Sequence, residues 1–504
     1  VNKSRDIVEF GDFQTPLNLA KQVALIAINS LGNIRTIIEP TCGLGTFIEA
    51  LIEIETEFSR KNPTETSIKN IIGWEINPKY VEIVKNNLSV NNKKILISVE
   101  EQDFFQVNWS EINHQLQEPV LFIGNPPWVT NSELGKLLSK NLPEKSNFQK
   151  FTGFAAITGK SNFDISEWIL TKICEQISHT NSAMAFLVKT SVARKVYQNI
   201  CQNNLLISSM FIRKINAKKH FGVNVDACLF FAKGTTSIIN EYLCPVYNSL
   251  KASKPCTTIG ISKGKLISDI KVYKKLSDID SGCEFKWRSG VKHDASKVME
   301  FQVTTEGLLN GLGEIVELPD DYLYPMYKSS DISQQELQSP TRKMLITQEN
   351  IGDDTQNIIK WSEKTWEYLI LNSKYFDARK SSIYKYAPRF SIFGVGDYTF
   401  KPWKIAISSL YKNIKFTKIG LFQNKPIVLD DTCYMLGFDL EKEADLIFQI
   451  LTSDIASNFI NSLVFKDNKR TITVSLLNRI SLRSIALRLG LDTDFERCFF
   501  VDSK

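Results

Sequence analysis

Between residues 36 and 232 the chain alternates two textures. Short runs of β-branched and other apolar residues give way to stretches in which apolar positions recur every third or fourth residue. The runs predict strands over 36–39, 71–75, 95–99, 120–124, 183–188, 208–213 and 227–232, and the periodic stretches predict helices over 47–56, 79–88, 165–177 and 192–201. Runs such as V-L-F-I-G lack polar alternation, as expected of strands covered on both faces. Strand–helix alternation of this kind predicts an α/β fold built on a doubly wound parallel sheet. After G-T-T-S at 234–237, read as a linker, the texture turns irregular, with turn-rich pieces such as S-G-C-E-F-K-W-R-S-G and F-G-V-G-D-Y. Two amphipathic helices are expected over 443–452 and 454–463. The expected division is a first domain over 1–235 and a second, α+β domain over 236–504.

What ends these strands carries the chemistry. The fourth run breaks off in Gly124-Asn125-Pro126-Pro127-Trp128. Neither proline can donate to a ladder, so the strand stops in a stiff elbow that displays an amide and an indole. The first run continues into E-P-T-C-G-L-G-T-F at 39–47, where Gly43 and Gly45 permit a tight turn and close approach of a ligand to bare backbone. The turn lacks the third glycine of the dinucleotide fingerprint, and Glu39 suits a pyrophosphate poorly. A cationic ligand with a sulfonium and an amino group fits better. Glu75 at the tip of the second strand is placed to accept from a ribose diol. Asp103 on the third is placed to accept an exocyclic amine while Phe104 packs on the ring. Carboxyl ends of successive strands form the crevice where open α/β sheets bind ligands. Together the three elements point to S-adenosylmethionine.

Composition narrows the class. A chain of 504 residues, 43% hydrophobic and 23% charged, suits two or three globular domains. No apolar run approaches the roughly 18–20 residues of a membrane span, and the first residues lack a signal-peptide core, so a cytoplasmic protein without a membrane is expected. Nine dispersed cysteines with no C-x-x-C pair read as reduced thiols, and four scattered histidines argue against a histidine-based metal site. Net charge is +6, yet residues 376–425 hold ten Lys/Arg against Asp377 and Asp397, a local +8, together with eleven aromatics. Basic residues interleaved with aromatics suit a surface for nucleic acid; an aromatic-rich β domain with solvated lysines is the alternative.

The ordered set G-D-F-Q-T-P, E-P-T-C-G-L-G-T-F, G-W-E-I-N-P, Q-D-F-F and G-N-P-P-W resembles the adenine-N6 DNA methyltransferases of gamma (Taq-type) architecture, specifically over residues 11–235 and diffusely beyond. The resemblance implies a Rossmann-like S-adenosylmethionine-dependent methyltransferase sheet followed by an α+β target-recognition domain. It implies that Phe13, Thr15 and Pro16 close over the methionine end of the cofactor, with Glu39, Thr41, Gly43, Gly45 and Phe47 holding that end. Glu75 and Ile76 would hold the ribose and adenine, and Asp103 and Phe104 the base. Asn162, Phe163 and Asp164 would form the next cofactor-side motif. An adenine amine is a weak nucleophile; the Asn125 side-chain oxygen and the Pro126 carbonyl are suited to accept its hydrogens, with Pro127 stiffening the mount. A base flipped from a duplex needs aromatic faces. Trp128, where the family usually carries Tyr or Phe, is one, and by resemblance Phe221 in K-K-H-F-G-V-N-V-D-A is the other, with Lys218 and Lys219 for phosphates. The expected partners are double-stranded DNA and a separately encoded restriction endonuclease, with the chain a monomer protecting bacterial DNA in a type II system.

Four rival readings are weaker on the residues. A cytosine-C5 enzyme needs a catalytic Pro-Cys, and Pro255-Cys256 lies beyond the catalytic half. Protein-glutamine methyltransferases share the elbow but need no basic, aromatic second half. Asp280 with Glu284 and Lys286 loosely mimics a nuclease metal site, which would make the chain bifunctional. A non-catalytic nucleic-acid-binding subunit could keep the fold, although Asn125, Glu75 and Asp103 are all present. In the second half Arg288, Lys292, Arg379, Lys380 and Arg389 are candidates for phosphate or guanine contacts, and 389–398 for a hairpin whose Gly394 and Gly396 admit DNA.

Overall fold

The computed structural model describes residues 14–61, 68–88, 95–129, 164–467 and 470–500. Phe13, Asn162 and Phe163 lie outside them. The first seven strands are β1 (Thr36–Glu39), β2 (Asn70–Glu75), β3 (Leu96–Glu101), β4 (Val120–Gly124), β5 (Ala183–Lys189), β6 (Ile207–Ile215) and β7 (Ala227–Gly234). They lie in one sheet in the order β6-β7-β5-β4-β1-β2-β3. β1 to β5 run parallel, and β7 is inserted antiparallel to both β5 and β6. Every residue of β1 and β4 is buried, as the unbroken apolar runs predict for central strands. On the edge strand β3 only Val99 is buried.

Helices α1 (Leu17–Leu31), α2 (Thr46–Lys61), α3 (Pro78–Asn87), α4 (Trp109–Gln115), α5 (Ile165–Ile177), α6 (Thr190–Gln202) and α7 (Ala217–Phe221) accompany the strands. Their starts follow local chemistry. Asn77 accepts the Lys79 N–H, with Pro78 at the first helical position of α3. Asp164 caps α5 by accepting the Ser166 N–H. Leu19, Val23 and Ala27 turn one face of α1 into a core shared with Ile37, Ile71, Leu121 and Leu187.

The sheet does not stop near residue 235. β8 (Cys244–Tyr247) adds to β6 in parallel, and β9 (Thr257–Ser262) and β10 (Lys265–Ile267) extend it to ten strands. Arg213 on β6 fastens this extension, donating to the carbonyls of Leu250 and Ala252 and stacking 4.1 Å from the Tyr247 ring. The first compact unit accordingly runs to Ile270, past the expected linker, and the second begins at Lys271.

The second unit is α+β. One six-stranded sheet contains β11 (Glu300–Thr304), β12 (Leu323–Tyr327) and β13 (Arg342–Leu345); a four-stranded sheet contains β14 (Trp403–Ser408), β15 (Phe416–Ile419) and β16 (Cys433–Phe438). Helix α8 (Glu441–Thr452) packs on β14 and β15 and is followed by α9 (Asp454–Leu463). The hairpin expected over 389–398 does not form. Phe393 makes a single bridge to Lys292, and Gly394, at φ 67°, lies where a Cβ would meet the Gly290 carbonyl oxygen at 2.3 Å. Its freedom serves packing against the chain's own backbone. Among the described residues no helix is long and apolar enough to cross a membrane.

Candidate active site

The carboxyl ends of β1 to β4 and the first turns of α5 surround a cleft open to solvent. Thr15, Glu39, Thr41, Gly43, Phe47, Glu75, Ile76, Asp103, Phe104, Asn125 and Pro127 all line it, so most cofactor residues read from the sequence converge. Gly45 lies behind the turn, where a Cβ would come within 2.9 Å of Val84 on α3, and Pro16 precedes α1 on the surface. Gln14, Tyr80, Gln102, Ile165 and Ile169 also line the cleft; Gln14 and Gln102 stand inside G-D-F-Q-T-P and Q-D-F-F without an assigned role, and only the fold delivers Tyr80, Ile165 and Ile169.

Two carboxylates set its electrostatics. Glu75 accepts the Gly43 N–H on one oxygen at 2.8 Å and the Asn77 N–H on the other at 2.9 Å. It is thus a strut joining the glycine turn to the end of β2, in addition to the ligand role expected from its position. Glu39 is buried, and its Oε2 has no hydrogen-bond partner among the described residues; the same holds for Thr41 Oγ1. Burial, then the neighbouring charge of Glu75, pushes the Glu39 carboxyl well above the usual carboxylate range. Such a group is relieved by a cation. Burial also pushes the Cys42 thiol far up, which makes it inert packing.

Asp103 caps the turn Phe104–Gln106, accepting the Phe105 N–H at 2.9 Å and Gln106 Nε2 at 3.1 Å. Phe104 is buried edge-on against Trp109 and Trp168, at 5.5 and 5.9 Å between centroids. Only part of its ring therefore faces the cleft.

At the elbow, Asn125 donates from Nδ2 to Thr15 Oγ1 at 3.2 Å, which orients the amide. Pro126 is buried behind it. Trp128 is only 5% exposed, and its indole N–H donates to the Leu187 carbonyl at 3.1 Å. Phe221 meets Trp128 as the sequence suggests, but edge-to-face, at 5.2 Å and 71°. A base held between two faces needs roughly 7 Å, two carbon contacts of about 3.5 Å each. The rings instead fill each other's space. Lys218 and Lys219 are exposed on α7, and Asp164 bonds to Lys189 beside the elbow.

The second-unit candidates fare unevenly. Arg379 donates to the carbonyls of Phe376, His293, Ser391 and Arg389 and stacks 3.7 Å from the Tyr384 ring, so it is a structural brace. Arg389 pairs with Asp377, Lys292 with Asp294, and Arg288 lies 5.0 Å from the Tyr398 ring. The local +8 is partly neutralised by acids distant in sequence: Lys401 pairs with Asp439, Lys418 with Glu441 and Asp445, and Lys425 with Asp320. Lys380, Lys385 and Lys412 stay exposed with no acidic partner among the described residues. The nuclease-like pair is occupied structurally. Asp280 takes Arg479 bidentately at 3.0 and 2.7 Å, and Glu284 accepts from Ser481, Leu482 and Arg483 at a helix start.

Sheet order, glycine turn and acidic strand ends define an α/β enzyme with a cleft for a cationic nucleoside-type ligand. No family model matches the chain. It is 44% identical over 487 residues to the Type II methyltransferase M.NspV of Nostoc sp. (strain ATCC 29411 / PCC 7524), covering 96% of this chain and 98% of that protein. The chain belongs to the Type II methyltransferases. Its fold is similar to that of the Type IIL restriction-modification enzyme MmeI, solved in complex with DNA, with TM-score 0.54 and 14% identity over 94% of this chain; it spans 65% of that longer protein. S-adenosylmethionine is the cofactor. The unpartnered Glu39 oxygen beside the glycine turn fits its positive charge, and Glu75, Asp103 and Tyr80 line the same cleft.

Proposed function

We propose that the chain is a site-specific adenine-N6 DNA methyltransferase of gamma architecture, acting on an adenine flipped out of double-stranded DNA in a type II restriction–modification system. The observation that carries this reading is Asn125: an amide followed by two prolines, at the end of β4, in the wall of the cleft that holds Glu39, Glu75 and Asp103. S-adenosylmethionine supplies an electrophilic methyl group. Asn125 Oδ1 and the Pro126 carbonyl accept the two hydrogens of the target amine and draw its nitrogen toward a tetrahedral, more nucleophilic shape. Thr15 takes the Nδ2–H, which supports an orientation presenting the amide oxygen. These neutral oxygens orient and polarise but take no proton: the nitrogen–methyl bond would form as the sulfonium–methyl bond breaks, and the proton shed by the methylated amine would pass to water. The proline mount contributes alignment, which is most of what a direct displacement needs.

Trp128 and Phe221 would receive the base once their edge-on contact opens. Lys218, Lys219, Arg288, Lys380 and Lys385 are suited to phosphates, with the second unit as the target-recognition domain. The M.NspV relationship and the DNA-bound MmeI fold support this.

Purified protein incubated with methyl-labelled S-adenosylmethionine and unmethylated genomic DNA is expected to place label in N6-methyladenine after digestion to nucleosides. Asn125→Ala is expected to lower transfer by roughly 10²–10³-fold, the scale of removing one group that acts on a transition state. Cofactor affinity should stay nearly unchanged. Label in methylcytosine, or an active Asn125→Ala, overturns the reading.

A further inference from the structure

Lys189 ends β5, a strand otherwise apolar throughout, A-M-A-F-L-V-K. The ordinary fate of a terminal lysine is a solvated charge. Here the side chain is 25% exposed and its ammonium bonds inward to two oxygens. One is the main-chain carbonyl of Trp128 at 2.9 Å; the other is Asp164 Oδ2 at 2.7 Å.

Both partners belong to the site. Trp128 is the last residue of the elbow, and its indole N–H is already tied to Leu187 on the same strand. Asp164, 7% exposed, uses its second oxygen to cap α5 through the N–H and hydroxyl of Ser166. Ile165 then donates its N–H to the Val129 carbonyl at 2.9 Å, and Ile165 and Ile169 line the cleft. The ammonium therefore sits at a junction of the elbow, the helix bordering the cofactor and the strand beneath both. A buried carboxylate that loses its cation is strongly disfavoured, so the three parts are held as one.

We propose that Lys189 is a positioning residue for methyl transfer, fixing the main chain at Trp128 to the capped start of α5 so that Asn125 and Pro126 stay in register with the cofactor cleft. This rests on the adenine-methyltransferase reading. Lys189 touches neither base nor cofactor; it acts through the elbow, where displacements well under 1 Å matter to an aligned displacement.

The test compares the intact wild-type chain with Lys189→Met, Lys189→Arg, Asp164→Asn and the Lys189→Met/Asp164→Asn double variant. Single-turnover transfer from labelled S-adenosylmethionine to unmethylated genomic DNA is read alongside cofactor Kd from equilibrium dialysis. Lys189→Met is expected to slow transfer by about 10–100-fold while Kd moves less than about threefold, and Lys189→Arg to recover most of the rate. Asparagine still caps a helix, so Asp164→Asn keeps α5 intact and should slow transfer alone. Acting through one junction, the double variant should be no slower than Lys189→Met. A wild-type rate in Lys189→Met overturns the proposal. So does parallel loss of rate and cofactor binding that arginine does not repair. Should Lys189→Met fail to fold, a wild-type rate in Asp164→Asn overturns it equally. A wild-type chain that puts no label on adenine removes the functional reading, and the proposal with it. A labelling wild type with an unimpaired variant removes the proposal alone.

Discussion

At Glu39 a carboxyl group closes a fully buried strand, next to a second carboxylate and with one oxygen unpartnered. Its pKa is raised in the folded chain, so the fold retains a proton that the unfolded chain has lost. Stability of the ligand-free protein therefore falls as pH rises from the ordinary carboxylate range, near 4.5, up to the raised value, and levels off above it. A cationic cofactor reverses the preference. Affinity is expected to climb as pH rises through the Glu39 pKa, with a proton released on binding below it. Calorimetric titration in two buffers of different ionisation enthalpy measures that release; Glu39→Gln should abolish it and weaken binding above that pKa. Equal release in both proteins would sink the assignment. Residues like Glu39, Glu75 and Asn125 were legible because each follows an apolar run at its carboxyl end, and Asp103 because it lies just past the third strand. Arg379 was not, because its partners are main-chain carbonyls, including those of His293 and Ser391, which carry no side-chain signature.

Among elements, the first half follows its pattern closely. Thr36–Glu39, Val120–Gly124 and Ile165–Ile177 form at the expected bounds; β6 runs longer because its pairing with β7 extends it, and α2 also runs past its periodic core. In the second half the two late helices form as expected, at Glu441–Thr452 and Asp454–Leu463, but the rest was readable only as α+β. Its strands are short, and pairings such as β14 with β16 join residues far apart, which local periodicity does not encode. One buried lysine shows the same limit. Lys404 on β14 reads as part of a basic surface, yet it is 1% exposed, with its ammonium on the Lys401 carbonyl. Burial lowers its pKa to about 7 from 10.5. Between those values the unfolded chain binds the extra proton, so this residue's contribution makes stability rise with pH across that window. Denaturant unfolding at about pH 7 and about pH 9 should show the rise in the wild type and a flatter response in Lys404→Met. An unchanged slope in the variant would assign the effect elsewhere.

For the whole molecule, the unit boundary matters most. G-T-T-S looked like a linker because small polar residues follow a strand, but β8 returns to pair with β6. A chain ending at 235 would leave β6 as an open edge, prone to pairing with other molecules. A fragment over 1–270 is expected to be soluble and to bind S-adenosylmethionine. A fragment over 1–235 is expected to aggregate, as size-exclusion chromatography would show; equal behaviour of the two would count against the boundary at Ile270. Both should fail to methylate DNA if the second unit recognises the target. The edge-on pair of Trp128 and Phe221 gains a meaning at this scale as well. Under the proposed function the edge-on contact occupies the space a base would use, so the resting protein would offer no slot to the nucleosides and mononucleotides that crowd a cell. Such a contact is worth about 0.5–1.5 kcal/mol beyond its buried area. A free base offers little to offset it, whereas a duplex gripped first by its backbone offers much. If the proposed adenine chemistry holds, the pair would work as a filter on substrate size, telling an adenine within a polymer from the same adenine adrift.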